Sequence, residues 1–450
     1  MERKIYRQLL EWKNEQNGAS ALMLNGARRV GKSYIVRKFA ENEYKSHIIL
    51  DFNRIGNDVK QLFENNLDNL DTFFTYLSSY ANVTLHRRNS VIVFDEVQLY
   101  PRARAAIKYL VEDGRYDYIE TGSLVSIRKN VENIMIPSEE EELLMYPMDF
   151  EEFLWALGNT TLMPLVRMNF EKKHEMGQAM HRKAMELFRQ YVIVGGMPQA
   201  VAKYVESRDF VKVDRVKRQI LGLYRNDIQK YASPHAGKVT GIFDNIPSQL
   251  QKHEKKFTLK AITEGARMRN YETAFFWLAD AMVANMAYNA TEPNIGLGMN
   301  TDSSSLKCYM ADTGLLISHA FNENAIADGQ LYMKLLTGKL EFNSGMVTEN
   351  IVAQMLRAAG HRLFFFSKYD KKNAEERMEV DFLIVKRGAT ARHNISPIEV
   401  KSSSRYTLSS LRKCMAKYGS SLSTPYVLHA ADLKTDGDIV YLPLYMTPLL

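Results

Sequence analysis

The sequence has 450 residues, of which 46% are hydrophobic, and a chain of this length is expected to fold as two to four domains. Lysine and arginine number 59 against 52 acidic residues; the net charge of +7 permits contact with nucleic acid, although a basic solvated surface gives the same balance. Two distant cysteines, Cys308 and Cys414, indicate a reducing, cytoplasmic compartment, and no apolar run is long enough to predict a signal peptide or membrane span.

The first stretch with a chemical signature is a glycine-containing loop between a predicted strand and a predicted helix. The apolar run from Ala21 to Leu24 predicts the strand, and the residues from Lys32 onward predict the helix. Gly26 is expected to let the chain turn away from the strand, and Gly31 to let the backbone approach a phosphate. This pattern predicts a nucleotide-binding loop; the alternative is a glycine-rich turn with an incidental lysine.

In such a loop, backbone N–H groups and the start of a helix hold phosphate oxygens. Lys32 is expected to bridge the β- and γ-phosphates, and the Ser33 hydroxyl to bind Mg²⁺. The residues predicted to contact the nucleotide run through the loop into the first helical turn: Gly26, Ala27, Arg28, Arg29, Val30, Gly31, Lys32, Ser33 and Tyr34.

Strands and helices alternate through the first part of the chain. The pattern predicts a helix near residues 5–12, a strand at 46–52 and an amphipathic helix at 59–80. Such alternation predicts a parallel sheet with crossover helices, which is an α/β fold.

Two acids, Asp95 and Glu96, follow the apolar residues of the strand predicted at residues 90–98. Ligands of open α/β sheets bind at the carboxyl ends of the strands. Asp95 is therefore expected to hold Mg²⁺ through water, and Glu96 to orient and deprotonate the water that attacks the γ-phosphate. The alternative is an ordinary strand end.

Polar residues also end the next predicted strand, at residues 116–123. Thr121 and Ser123 are candidates for sensing the γ-phosphate and holding the attacking water. A turn with a helix N-cap is the alternative.

Taken together, these motifs resemble the bacterial and archaeal AAA-superfamily ATPases that carry a C-terminal domain of unknown function. The segments that carry the resemblance are 26–33, 95–98, 121–123, 146–153 and 191–198. The resemblance implies ATP as the nucleotide and a helical lid on the nucleotide domain. Many members have a Gly-Arg pair before the fourth segment, whereas residues 137–142 here read Pro-Ser-Glu-Glu-Glu-Glu. The charge-sensing arginine of this pair is therefore not identified in this sequence. Arg115 and Arg128 are only guesses at a substitute.

The middle of the chain is predicted to be helical, with a change of rhythm near residue 236. Residues 161–235 are expected to form the lid, where Arg225 and Asp227 either contact the nucleotide or a neighbouring domain, or form a surface salt bridge. Three helical patterns and two strands in 236–318 predict a winged helix, with helices at 238–250, 259–266 and 270–282. It is expected either to contact DNA or to bind protein.

Near the C-terminus, a helix and three strands carry acids in the order of a restriction-endonuclease-like core. Asp381, Glu399 and the Val400 carbonyl are expected to share a divalent metal, with Glu349 adding a carboxylate and Lys401 activating the attacking water. In Glu399-Val-Lys401 the two-residue period places both charged side chains on one face. A retained salt-bridge network is the alternative.

The sequence thus predicts a multidomain α/β protein: a P-loop ATPase core at 1–160, a helical lid at 161–235, a winged helix at 236–318 and a restriction-endonuclease-like domain at 335–450. The leading hypothesis is ATP hydrolysis with Mg²⁺, coupled to a DNA-directed, metal-dependent nuclease-like domain. The alternatives are a nucleotide-dependent regulator that binds DNA or protein without cutting, and a small-molecule kinase. DNA is the expected partner, self-association is open, and no membrane contact is expected.

Overall fold

The computed structural model describes residues 1–123, 138–252, 254–294, 296–321, 344–386, 394–403 and 405–450, and the single residues 332, 334 and 336. The chain divides into two units. The first is Met1–Tyr146 with Asp280–Met282, and the second is Pro147–Ala279 with Val283–Leu450. Arg128, a guessed charge sensor, lies outside the described residues.

In the first unit, helices and strands alternate as predicted. The helices are α1 (Ile5–Gln16), α2 (Lys32–Glu43), α3 (Asn57–Asn65), α4 (Leu70–Ala81) and α5 (Pro101–Asp113). The strands are β1 (Ala21–Gly26), β2 (Ser46–Asp51), β3 (Ser90–Asp95), β4 (Asp117–Gly122) and β5 (Glu140–Met145). All five strands pair in parallel, in the order β2-β3-β4-β1-β5, which confirms the predicted parallel α/β sheet.

Apolar side chains cover both faces of this sheet. Met23 and Phe94 lie on one face, in a core shared with α3, α4 and α5. Leu22, Leu24 and Val93 lie on the other, packed with α1 and α2. Because both faces are buried, β1 and β3 are nearly continuous apolar runs, which made them recognisable in the sequence.

Two features of this unit differ from the predicted elements. The helix predicted at 59–80 is two helices, because Asn69 begins α4 by accepting the Thr72 N–H at 3.1 Å. Strand β5 was not predicted, since it begins with three glutamates. One of these, Glu140, pairs with Arg104 Nη2 at 2.8 Å, which allows an acidic strand at the sheet edge.

The second unit begins with five helices among the described residues, four of which lie in the segment 161–235 that was predicted to be helical. They are α6 (Phe150–Ala156), α7 (Leu162–Lys172), α8 (Gln178–Val194), α9 (Pro198–Ser207) and α10 (Phe210–Tyr231). Later helices are α11 (Ala236–Gln251), α12 (Glu272–Asp280), α13 (Thr313–Ala320), α14 (Ser344–Ala358) and α15 (Ser409–Tyr418).

A mixed sheet of eight strands runs through the rest of this unit. Its strands are β6 (Ala284–Ala290), β7 (Thr301–Met310), β8 (Phe364–Lys368), β9 (Met378–Val385), β10 (Ile395–Val400), β11 (Tyr426–His429), β12 (Lys434–Asp436) and β13 (Ile439–Pro443). Their order is β12-β13-β11-β10-β9-β8-β6-β7.

The segment predicted as a winged helix keeps part of the expected plan. Its first and third helices and its hairpin are present, but the predicted second helix, 259–266, contains only the 3₁₀ turn Leu259–Ala261. The hairpin β6-β7 is also not a free wing, because β6 pairs in parallel with β8. The winged-helix assignment therefore stays a prediction.

The glycine pair of segment 191–198 lies where three stretches of backbone pack closely. Asp312 Oδ2 accepts the Gly196 N–H at 2.5 Å, and the Met148 N–H donates to the Gly196 carbonyl at 2.7 Å. A Cβ on Gly196 would lie 2.2 Å from the Met148 carbonyl oxygen, and one on Gly195 would lie 2.3 Å from Asp312 Oδ1. This part of the resemblance is therefore explained by packing.

Candidate functional site

The loop predicted to bind phosphate follows β1 directly and leads into α2. Gly26 ends β1, and a Cβ there would lie 2.5 Å from the Met145 carbonyl oxygen. Packing of β1 on β5, rather than the predicted turn, therefore requires this glycine. Gly31 immediately precedes α2 with φ of 102°, a left-handed conformation that glycine adopts most easily.

Lys32 is buried at the start of α2, with 5% of its surface exposed. Its Nζ donates to the carbonyls of Gly26 at 2.8 Å and Ala27 at 3.1 Å. Burial lowers the pKa of Lys32 to about 8, although the charges of Glu96 and Asp95 act in the opposite direction. A phosphate in the loop would neutralise this buried ammonium, which is the role predicted for Lys32.

The carboxylate of Asp95 lies where three strands end. Strand β4 lies between β1 and β3 in the sheet, so the carboxyl ends of these strands meet at one edge. Asp95 Oδ1 accepts hydrogen bonds from Ser33 Oγ, at 2.8 Å, and from Thr121 Oγ1. Thr121 Oγ1 in turn accepts the Glu96 N–H at 3.4 Å. Four predicted site residues are thereby in direct contact.

These residues can be tested against the Mg²⁺ that the sequence predicts. Mg²⁺ prefers oxygen ligands, keeps several waters and usually takes only one or two carboxylates from the protein. A hydroxyl from Ser33 and a carboxylate from Asp95 lie 2.8 Å apart at the end of the phosphate loop. The donor set therefore fits the ion.

Glu96, the predicted base, has an unusual backbone. Its φ of 57° and ψ of 46° are left-handed, which is uncommon for a residue with a side chain and is often found at functional sites. Glu96 Oε2 accepts a hydrogen bond from Gln98 Nε2 at 2.5 Å. Gln98 thus fixes the position of the carboxylate next to Asp95.

The other predicted contact residues differ in exposure. Ala27 and Val30 are buried within the loop, and Ser123 is buried after β4. Arg28 is partly exposed, and Arg29 is exposed. Tyr34 is 56% exposed, so much of its side chain lies at the protein surface.

Two further residues support the site and were not predicted: Arg3 contacts the loop, and Gln98 contacts Glu96. Arg3 Nη1 donates to the Val30 carbonyl at 3.0 Å, and its Nη2 donates to the Tyr146 carbonyl at 2.7 Å. Gln98 lies within the quoted segment 95–98, so its position two residues after Glu96 was a usable signal. No local pattern marks Arg3, because its partner is 27 residues away.

In α10, the salt-bridge alternative is observed for Arg225. Its Nη2 donates to Asp244 Oδ1 at 2.9 Å, and Asp227 on the same helix is buried.

The charged residues predicted near the C-terminus come from α14, β9 and β10. The Val400 N–H donates to Asp381 Oδ2 at 2.8 Å, and Lys401 Nζ donates to Glu399 Oε1 at 2.6 Å. Glu349 accepts hydrogen bonds from Lys307 Nζ, at 3.2 Å, and from the Tyr309 hydroxyl. The predicted pairing of Glu399 and Lys401 on one face is therefore present.

Burial raises the pKa of all three acids, but neighbouring charges give them different outcomes. Burial and the charge of Asp381 raise the pKa of Glu399 to about 8, although Lys401 opposes the rise. Burial and the charge of Glu349 likewise raise the pKa of Asp381. Burial alone would raise the pKa of Glu349 as well, but Lys307 and a second lysine lower it to about 2. Within the described residues, no group of three or more His, Cys, Asp or Glu side chains is arranged to hold a metal ion.

The parallel sheet, the loop after β1 and the acids after β3 define a P-loop nucleotide-binding domain in the first unit. Three regions of the chain match family models. Residues 19–154 match the AAA domain, 185–325 a domain of unknown function (DUF8612), and 344–446 another domain of unknown function (DUF4143). The AAA match contains the phosphate loop, Asp95, Glu96 and Thr121.

Several solved structures are similar to this chain. The Walker-type ATPase PABY2304 of Pyrococcus abyssi is 16% identical, with 71% of this chain and 95% of that chain covered and a TM-score of 0.41. The structure of Drosophila ORC bound to DNA is 14% identical, with coverages of 68% and 92% and a TM-score of 0.29. Cdc6p from Pyrobaculum aerophilum is 10% identical, with coverages of 75% and 94% and a TM-score of 0.24.

A search of curated proteins finds no match. In the parts of the chain that the structure describes, no helix has both the length and the apolar character needed to cross a membrane.

Proposed function

We propose that the first unit binds ATP with Mg²⁺ on the loop of residues 26–33 and hydrolyses it to ADP and phosphate. The Lys32 ammonium contacts the β- and γ-phosphates, while Ser33 and Asp95 hold the ion. Bound Mg²⁺ supplies positive charge to the phosphate oxygens.

The side chains around Asp95 then prepare the water that attacks. Glu96 accepts a proton from this water, whose oxygen bonds to the γ-phosphorus as the bond to the leaving ADP oxygen breaks. Gln98 keeps the Glu96 carboxylate in position, and Thr121 and Ser123 orient the water and the γ-phosphate.

One observation carries this proposal. Ser33, Asp95 and Thr121 come from three different elements, yet both hydroxyls donate to the same carboxylate oxygen. Ser33 follows the buried Lys32 directly in the chain, and the proposed base, Glu96, follows Asp95. A glycine-rich turn with an incidental lysine gives no reason for such convergence.

Replacing the proposed base separates hydrolysis from binding. We expect Glu96→Gln to lower kcat for ATP about a hundredfold or more, because a positioned general base contributes at least that factor. The Kd for ATP should stay close to that of the wild type, since glutamine keeps the size of the side chain. Phosphate release and equilibrium binding of a fluorescent ATP analogue measure the two quantities.

The matched control is Glu112→Gln, which makes the same change at an exposed position of α5. It should leave both quantities unchanged, whereas Lys32→Ala should abolish binding. Wild-type turnover by Glu96→Gln would contradict the assignment of the base, and wild-type binding by Lys32→Ala would contradict the site itself.

We further propose that nucleotide state alters a cytoplasmic, DNA-directed activity of the second unit, with self-association as a second outcome of nucleotide binding. The positive net charge of +7 supports a DNA partner. Fluorescence anisotropy with duplex DNA, with and without ATP and at two salt concentrations, tests binding, because contacts to phosphates weaken as salt rises. Sedimentation under the same conditions tests self-association.

The binding alternative is favoured over DNA cutting by one observation. The acids predicted to share a divalent ion face a buried lysine: Lys307 Nζ lies 3.2 Å from Glu349 Oε1 and 3.8 Å from Asp381 Oδ1. Incubation of supercoiled DNA with Mg²⁺ or Mn²⁺ distinguishes the alternatives, and cutting that persists in Lys401→Ala would show contamination.

A further inference from the structure

The acid cluster of the second unit contains a lysine that the nuclease hypothesis did not include. Lys307 lies on β7, whereas Asp381 is on β9 and Glu349 is on α14. A metal-dependent nuclease needs a cation between the two acids. The group that lies between Asp381 and Glu349 therefore decides whether such a cation fits.

The Lys307 ammonium lies among three carboxylates. Its Nζ is 3.0 Å from Glu379 Oε1, 3.2 Å from Glu349 Oε1 and 3.8 Å from Asp381 Oδ1. The same Nζ lies 5.0 Å from the centre of the Phe365 ring, which adds a cation–π contact. Its side chain is 1% exposed, so the ammonium is enclosed by these partners.

The other oxygens of the cluster are mostly engaged as well. Glu349 Oε2 pairs with Lys255, and Asp381 Oδ2 accepts the Val400 N–H at 2.8 Å. Among the described residues, Glu399 Oε2 is a buried atom without a hydrogen-bond partner. Asp381 Oδ1, the other oxygen of that carboxylate, faces the buried ammonium at 3.8 Å, so a divalent ion between the acids would have to displace the ammonium.

The charges of the cluster nearly balance without a metal. There are four carboxylates and three ammonium groups in contact with them: Glu349, Glu379, Asp381 and Glu399, with Lys255, Lys307 and Lys401. A buried divalent cation would leave this cluster with excess positive charge in a site of low dielectric constant, which is unfavourable. The residues present therefore do not fit the metal that a nuclease-like domain implies.

We infer that Lys307 is the internal counter-cation of this cluster, in the place that the hypothesis gives to a metal, and that the second unit does not cut DNA by metal catalysis. The ammonium instead joins β7 to α14 and β9, so the acids stabilise the fold. This inference does not depend on ATP hydrolysis, and its tests use nucleotide-free protein.

Binding of Mn²⁺ to the full chain tests the inference directly. Electron paramagnetic resonance counts free and bound Mn²⁺ for the wild type and for Asp381→Asn, both without nucleotide. We expect the same number of bound ions in both proteins. An additional ion in the wild type that is lost in Asp381→Asn would overturn the inference, as would Mn²⁺-dependent DNA cutting that disappears in Lys401→Ala.

Removing the counter-cation provides the complementary test. We expect Lys307→Met to bind one more Mn²⁺ than the wild type, and Mn²⁺ to raise its Tm, because four carboxylates then face two ammonium groups. Adding Asp381→Asn should remove both effects. The matched control, Lys413→Met, changes a lysine whose partner Glu375 is largely exposed, and it should bind no additional ion.

A folded Lys307→Met protein that gains no Mn²⁺ would contradict the role of Lys307. Should this variant fail to fold, the comparison of the wild type with Asp381→Asn still decides the question.

Discussion

At the scale of single residues, Glu120 shows how one buried carboxyl makes stability depend on pH. Glu120 lies on β4 and is fully buried beside Glu140, whose carboxylate pairs with Arg104. Burial, together with the neighbouring Glu140, raises the pKa of Glu120 well above its ordinary value, and Arg104 offsets only part of this rise. The folded protein therefore favours the neutral carboxyl.

We predict that Glu120→Gln increases the free energy of unfolding by an amount that grows with pH. In the wild type, the stability linked to this proton is complete below the unfolded pKa, about 4.3, and is lost as pH rises toward the higher folded pKa. Glutamine cannot ionise, so its advantage should grow by up to about 1.4 kcal/mol per pH unit in this window. Urea denaturation at several pH values from 5 to about 8 measures the difference.

The control for this prediction is Glu141→Gln. It makes the same change at a partly exposed position of β5 and should alter stability little at any pH. An effect of Glu120→Gln that does not vary with pH would show that Glu120 titrates equally in the folded and unfolded chain.

At the scale of elements, the sequence predicted those whose burial pattern is strong. Strands β1 and β3 are buried at every position, and β3 ends in Asp95. Because parallel strands of one sheet end at the same edge, the approach of Asp95 and Thr121 could be expected from the strand ends. Ser33 reaches the same edge because the loop after β1 leads into α2. Strand β5 could not be predicted, because its burial depends on a partner, Arg104, that lies 36 residues away.

Sequence distance also limited what could be predicted of the acid cluster in the second unit. Sequence analysis found Glu349, Asp381, Glu399 and Lys401 because they occur on adjacent elements in a familiar order. Lys307 was not singled out in the sequence, since its contact with Glu349 spans 42 residues and leaves no local pattern. The missing lysine changes the chemistry of the site from metal binding to ion pairing.

Close backbone packing at Gly196 leads to a prediction for the helical part of the second unit. We expect Gly196→Ala to lower the free energy of unfolding by about 2 kcal/mol or more, because the new Cβ would lie 2.2 Å from a backbone oxygen that cannot move alone. Thermal or urea denaturation of the full chain measures the loss.

Gly222→Ala is the matched control and should have the opposite sign. Gly222 lies inside α10, and a Cβ there would meet no atom within 4 Å. Alanine is better than glycine by about 1 kcal/mol in a helix interior, so stability should rise. Equal effects of the two substitutions would show that packing at Gly196 does not restrict its side chain.

At the scale of the whole molecule, the two units carry sites of different kinds. In the first unit, the buried Lys32 has a lowered pKa and donates to backbone carbonyls, so a bound anion would offset the cost of burying its charge. In the second unit, acids and lysines already neutralise one another. A nucleotide can change the second unit only if it binds two states of the protein with different affinity. The proposed coupling therefore requires a measurable response outside the first unit.

Hydrogen exchange can detect that response. We predict that a non-hydrolysable ATP analogue with Mg²⁺ slows amide exchange in α2 and β3, because the ligand binds the folded loop and opposes local opening. If nucleotide state is coupled to the second unit, exchange in α14 and β9 should change as well. Lys32→Ala, which should not bind the analogue, should show neither effect. Changes in amide exchange confined to residues 1–146 would show that the nucleotide state does not affect the acid cluster. The proposed coupling would then be wrong.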